Sequence, residues 1–193
     1  MMIGALDSPR RQVAEIDYAL LWSVLILLFA GLVMVYSASI AIAEGGRFTG
    51  HQPAYYLVRH GIFLCIGLVA AAVAFQVPLS LWQKNAPYLF LIGVALLALV
   101  LIPGIGRDVN GARRWLSLGF ANLQPSELMK MFAVLYAADY TVRKINVMHD
   151  LKQAFLPMFG AMAVVGMLLL KEPDFGAFVV IISIAMGILY LGG

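Results

Sequence analysis

The sequence predicts an all-α fold, a polytopic transmembrane helical bundle, on three observations. Hydrophobic residues make up 63% of the 193 positions and charged residues 12%, too few polar groups to coat a water-soluble domain of this size. Six apolar segments approach the ~20 residues a helix needs to cross the ~30 Å hydrocarbon core of a bilayer. They are 18–37, 61–77, 86–102, 125–140, 154–170 and 175–191. The polar connections between them are too short to build a shell facing water.

Residues 1–17 are polar and read as an interfacial tail. Arg10 and Arg11 ahead of the first apolar run, with Ser37-Ala38-Ser39 behind it, have the look of a secretory signal. The run is too long for that and five more follow, so it reads as an uncleaved span. The stretch 40–60, with Gly45-Gly46, Gly50 and Pro53, reads as irregular backbone outside the lipid. The short connection 78–85 makes the second and third spans an antiparallel hairpin, with Asn85 as the candidate cap of the third. Residues 103–123 read as a polar, glycine-containing loop, and 141–152 as a basic connection between spans four and five. Lys171-Glu172 turns abruptly between spans five and six. Spans four and six begin alike, with Gln124-Pro125 and Glu172-Pro173, too briefly to count as a repeat. No polar tail follows Leu191, so the chain is expected to be the front part of a longer protein.

Several classes of function drop out. The net charge of +3 is scattered and forms no nucleic-acid patch. Cys65 is the only cysteine, so no intrachain disulfide exists. His51, His60 and His149 have no ligand-like spacing with partners, so a zinc site is rejected. The positive-inside rule is silent. With the N-terminus inside, Arg10, Arg11, Lys84, Arg143, Lys144 and Lys152 balance Arg47, Arg59, Arg107, Arg113, Arg114 and Lys171 outside.

The informative charges lie in and after NGARRWLSLGFANLQPSELMK (110–130). Gln124, Pro125, Ser126 and Glu127 fit a helix start, with proline first and an acid at the positive end of the helix dipole. Lys130 lies three residues on, on the same helix face as Glu127. Either the two pair at the membrane boundary, or they face a polar cavity in the bundle. Arg113-Arg114-Trp115 is either an interfacial anchor or half of an anion clamp, since the guanidinium fork suits phosphate. With Lys130 and the helix start it would converge on a lipid-linked phosphate or pyrophosphate. In KEPDFG (171–176), Glu172 would cap, Pro173 would take the first helical position and Asp174 would sit in the first turn. Asp174 is equally a candidate proton or metal handle.

The stretch NGARRWLSLGFANLQPSELMKMFAVLYAADYTVRK (110–144), then EPDFG (172–176), with VMVYSAS (33–39) in the first span, resembles the SEDS family of shape, elongation, division and sporulation proteins. The order of segments agrees over essentially the whole chain, and ANLQPSELMK, ADYTVRK and EPDFGAFVVI look most like its division branch. The resemblance implies that residues 18–193 belong to a SEDS-type transmembrane domain of the bacterial inner membrane, at the division septum. It also implies that residues 1–17 are a cytoplasmic tail, which places Arg113 and Arg114 on the periplasmic side.

The activity implied is that of a peptidoglycan glycosyltransferase polymerising lipid II, the undecaprenyl-diphosphate-linked disaccharide peptide. A class B penicillin-binding transpeptidase and other divisome proteins are the implied partners. A lipid II flippase and a non-catalytic divisome scaffold are the alternatives. No cofactor is identified from the residues; a divalent cation is implied by the family alone. The family's catalytic aspartate is expected beyond Gly193, and Asp174 is not it. The candidate substrate-binding set is Arg113, Arg114, Gln124, Ser126, Glu127, Lys130 and Asp174.

Overall fold

Asp17 starts the first helix. Its carboxylate accepts from the backbone N–H groups of Ala19 and Leu20 at 3.0 and 3.1 Å, two of the donors a helix N-terminus leaves free. The computed structural model describes residues 17–109, 111–119 and 121–192. The expected tail therefore lies, apart from Asp17, outside the described residues. Helix α1 (Tyr18–Gly45) runs well beyond residue 37, so the irregular stretch is shorter than its glycines suggest. A single 3₁₀ turn (Arg47–Thr49) follows, and Gly50 leaves it in the left-handed region at φ 62°. The Thr49 hydroxyl closes the turn by donating to the carbonyls of Gly46 and Ala43. Helix α2 (Tyr55–Gln76) packs back on α1. The pair forms one compact unit, with Leu27, Phe29, Met34 and Phe75 exposed, as lipid-facing surface requires.

Residues 77–193 form the second unit. Helix α3 (Leu79–Val100) begins just after Pro78, earlier than its apolar run suggests. Asn85 is thus no cap: it lies inside the helix and donates to the Leu81 carbonyl at 2.8 Å. The buried face of α3 is Ala86, Phe90, Gly93, Leu97 and Val100, at helical spacing.

The stretch expected to be a loop is an antiparallel sheet, so the fold is not purely α-helical. Its strands are β1 (Gly106–Val109), β2 (Ala112–Ser117) and β3 (Asn122–Leu123), in the order β1-β2-β3. Gly111 and Gly119, at φ 78° and 84°, supply left-handed backbone in the two connections. Arg107 pairs with Trp115 and Asp108 with Arg113, with a bulge between Arg107 and Asp108. The apolar character of Trp115 and Leu116 lets the sheet lie on the helix ends, and β2 packs on both α3 and α4.

Helix α4 (Pro125–Lys144) is the central element and packs on α3, α5 and α6. A π-helical turn (Leu151–Phe155), capped by Asp150, opens α5 (Leu156–Lys171), and α6 (Phe175–Leu191) closes the unit. Buried Met158, Met162, Val165 and Leu169 of α5 meet Ala177, Ile181, Ala185 and Leu189 of α6 and the alanines Ala133 and Ala137 of α4. Small residues at these positions let membrane helices approach closely.

Helices α1 to α6 overlap the six predicted segments, and among the described residues four are long and apolar enough to cross a bilayer: α1, α2, α3, and α5 with its π turn. Helix α6 is apolar but shorter, at 17 residues. Helix α4 carries Glu127, Lys130, Asp139, Arg143 and Lys144, and packs mainly against other helices.

Candidate functional site

The starts of α4 and α6 meet beside the sheet. Gln124 takes the N-cap position of α4 and Pro125 its first helical position, as their order predicts. At α6 the register differs from expectation: Asp174, not Glu172, is the N-cap, and its Oδ1 accepts from the Ala177 N–H at 3.2 Å. Its other oxygen accepts from the Ser126 hydroxyl at 2.7 Å and from Gln124 Nε2 at 3.0 Å. Gln124 also donates to Ser126 Oγ at 3.0 Å, which closes a three-membered polar cluster across the two helix starts. Burial works against the Asp174 charge, but the bonds from Ser126, Ala177 and Gln124 and the Arg114 charge outweigh it. The carboxyl pKa is held below its ordinary value.

Arg114 anchors the sheet to the same place. Its Nε donates to the Glu172 carbonyl at 3.0 Å and a terminal nitrogen donates to the Pro173 carbonyl. These carbonyls lie at the C-terminal, electronegative end of α5, where a cation is favoured. Successive residues of a strand point to opposite faces. Arg113 accordingly takes a different partner, Asp108 on β1 at 3.7 Å, with both side chains about half exposed. The two adjacent arginines do not act on one another's targets.

Glu127 and Lys130 form their own pair, Nζ to Oε1 at 2.8 Å on the outer face of α4. Of the seven candidates, then, Gln124, Ser126 and Asp174 share one cluster that Arg114 borders. Glu127 with Lys130, and Arg113 with Asp108, stand as separate pairs.

The residue that helix-start reasoning misplaced is Glu172. It is 0% exposed, and neither carboxyl oxygen has a hydrogen-bond partner among the described residues. Burial, then the Asp174 charge, raises its pKa to about 8 against the opposing pull of Arg114. At neutral pH it is therefore mostly the neutral acid. A readable signal exists: the buried stripe of α5, Met158, Met162, Val165 and Leu169, continues in helical step to position 172.

Among the described residues no group of three or more His, Cys, Asp or Glu gathers that could hold a metal ion. The Asp174 oxygens already accept three hydrogen bonds, and Arg114 lies close by.

Residues 18–193 match the family of cell cycle proteins that takes in FtsW, RodA and SpoVE. The chain is 60% identical over 191 residues to a probable peptidoglycan glycosyltransferase FtsW of Aromatoleum aromaticum, covering 99% of this chain and 47% of that one. It is 52% identical over 192 residues to the protein of the same name from Burkholderia thailandensis, covering 100% and 42%. The chain thus spans about half the length of the curated relatives it matches. Among solved structures, a peptidoglycan synthase complex described as coordinating polymerization and crosslinking aligns with TM-score 0.65 and 28% identity, over 84% of this chain and 47% of that one. The rod shape determining protein RodA of Thermus thermophilus aligns with TM-score 0.64 and 27% identity, over 84% and 53%.

Proposed function

The chain belongs to the SEDS family of cell cycle proteins, as a multi-pass membrane member similar to FtsW, and on that premise we propose that it forms part of a peptidoglycan glycosyltransferase. Its substrate is lipid II, polymerised into glycan strands at the division septum of the bacterial inner membrane. The observation that carries the reading is the joining of the α4 and α6 starts through Gln124, Ser126 and Asp174, with Arg114 fastening the sheet beside them. Such a junction holds exposed cations at fixed positions at one end of a bundle, where a headgroup would be presented.

In glycosyl transfer the acceptor hydroxyl is deprotonated as it attacks the anomeric carbon, and the pyrophosphate departs with the bonding electrons. Arg113 and Lys130, each held by a single partly exposed ion pair, are the cations that meet that growing negative charge. Arg114, Gln124, Ser126 and Asp174 position the elements that carry them, and Glu127 orients Lys130. The base is the family's aspartate beyond Gly193. The N-terminus is cytoplasmic, and a class B penicillin-binding transpeptidase and other divisome proteins are partners. The complex among the solved relatives, which joins polymerization with crosslinking, supports such a partner.

The experiment is lipid II polymerisation in detergent, by a protein of the relatives' full length that contains this sequence, with its transpeptidase. Detergent leaves no compartments, so flipping alone makes no polymer. Glycan strands on a gel, reduced at least ~10-fold in Arg113→Ala and Lys130→Met, are the expected result. Lipid II binding without polymer, with a control polymerase active, would replace this reading by the flippase.

A further inference from the structure

The end of the second unit away from the sheet carries an arrangement that the reaction above does not use. The start of α3 and the last turns of α4 border an open cleft of about 360 Å³ lined by Ser80, Gln83, Lys84, Pro87, Asp139 and Arg143. Gln83 and Asp139 also line an adjoining groove of about 230 Å³, whose other walls are Leu79, Leu135, Ala138 and Val142. Spacing explains the pairing: Ser80, Lys84 and Pro87 lie on one stripe of α3, and Leu135, Ala138, Asp139 and Val142 on one stripe of α4. The two spaces share a wall and differ in chemistry.

The charge in the polar space is unbalanced. Asp139 is 7% exposed and accepts from Arg143 Nε at 2.8 Å, so these two neutralise one another. That bond leaves the rest of the half-exposed Arg143 guanidinium able to donate. Lys84 pairs with no carboxylate among the described residues and leaves the lining net positive. Leu79 and Val142 are 77% and 59% exposed, so the apolar groove is open on its outer side among the described residues.

We propose that this composite cleft binds an anionic phospholipid, its phosphate against Lys84 and Arg143 and one acyl chain along Leu79, Leu135 and Val142. A basic pocket between membrane helices recognises an anionic headgroup by charge. A zwitterionic lipid does not answer the unpaired lysine, and a soluble phosphate leaves the apolar groove unused. The site stands independently of the polymerase reading.

The test is native mass spectrometry of the purified protein after exchange against phosphatidylglycerol, phosphatidylcholine or glycerol phosphate. Phosphatidylglycerol is expected to be retained about five-fold over phosphatidylcholine, the worth of one lysine near an anionic surface. Lys84→Gln brings the ratio near one, while Lys84→Arg keeps it; Lys84 is exposed, and thermal melting verifies that both variants fold. Val142→Ser, on the opposite wall, lowers retention without touching a charge. Equal retention of the two lipids, or an unchanged ratio in Lys84→Gln, overturns the proposal. So does displacement of phosphatidylglycerol by an equal concentration of glycerol phosphate, which would show that the acyl groove contributes nothing.

Discussion

The Ser126 hydroxyl donates to Asp174 Oδ2 at 2.7 Å and so joins the first turn of α4 to the N-cap of α6 across 48 residues of sequence. Both residues are buried, at 0% and 8% exposure. A single carboxylate thus caps one helix and fastens the start of another, so its loss is felt at both.

Asp174→Ala is expected to lower stability by about 2–4 kcal/mol, the sum of a lost cap and an orphaned hydroxyl. Asp174→Asn retains an acceptor for the Ala177 N–H and is expected to lose less than half as much. Thermal unfolding in detergent, read by circular dichroism, checks both. Equal losses would mean that the charge matters and the cap does not.

Glu172 makes stability depend on pH with a definite sign. Its folded pKa, about 8, lies above its ordinary value of 4.5, so between those values the folded chain holds a proton that the unfolded chain has released. Stability therefore falls as pH rises through that window, by at most about 1.4 kcal/mol per unit, and levels off above it. Glu172→Gln is expected to flatten the slope between pH 5 and 8 and to raise the melting temperature at pH 8. Asp174 acts oppositely and elsewhere: its depressed pKa makes its contribution fade only as pH falls below the usual carboxylate range. Melting curves of both proteins across pH 5–9 decide the matter; parallel curves would refute the neutral acid.

Glu127 and Lys130 separate folding from function. Their pair is at an exposed face, so Lys130→Met is expected to change stability by less than about 1 kcal/mol. Polymerisation by the full-length protein should nevertheless fall at least ~10-fold. A variant that melts early and polymerises normally would assign the pair to the scaffold.

Gly106 admits no side chain, because a Cβ there would overlap the Val100 carbonyl at the end of α3. Gly106→Ala is expected to destabilise by about 1–3 kcal/mol and to disturb β1, since backbone rather than a flexible side chain stands in the way. Faster hydrogen exchange at the amides of β1 and β2 is the direct readout. Gly61→Ala, with open space around it, is the matched control.

Hydrophobic runs made most of the helices legible, and Gln124-Pro125 made the start of α4 legible to the residue, because proline and a helix dipole act locally. What stayed hidden is non-local. The sheet could not be read from NGARRWLSLGF, where polar and apolar residues mix and strand pairing depends on partners packed beneath it. The parallel between Gln124-Pro125 and Glu172-Pro173 misled, since Asp174 is the better cap and moves the helix start. That Arg113 and Arg114 would part followed from strand geometry, and only the sheet reveals the strand. Ser126 and Asp174 were both visible as candidates, but their bond spans elements whose packing no local rule supplies.

Gly93 and Met129 show what kind of interior α3 and α4 share. A Cβ on Gly93 would stand 2.5 Å from the Met129 sulfur, so the thioether fills the notch that the glycine leaves. Buried Met158 and Met162 continue the same material on α5. Thioether side chains bend where branched ones lock. The middle of the bundle is therefore ductile while its sheet end is pinned by hydrogen bonds. A load applied to the helices would be taken up as rotation of methionine side chains, leaving the polar junction in register.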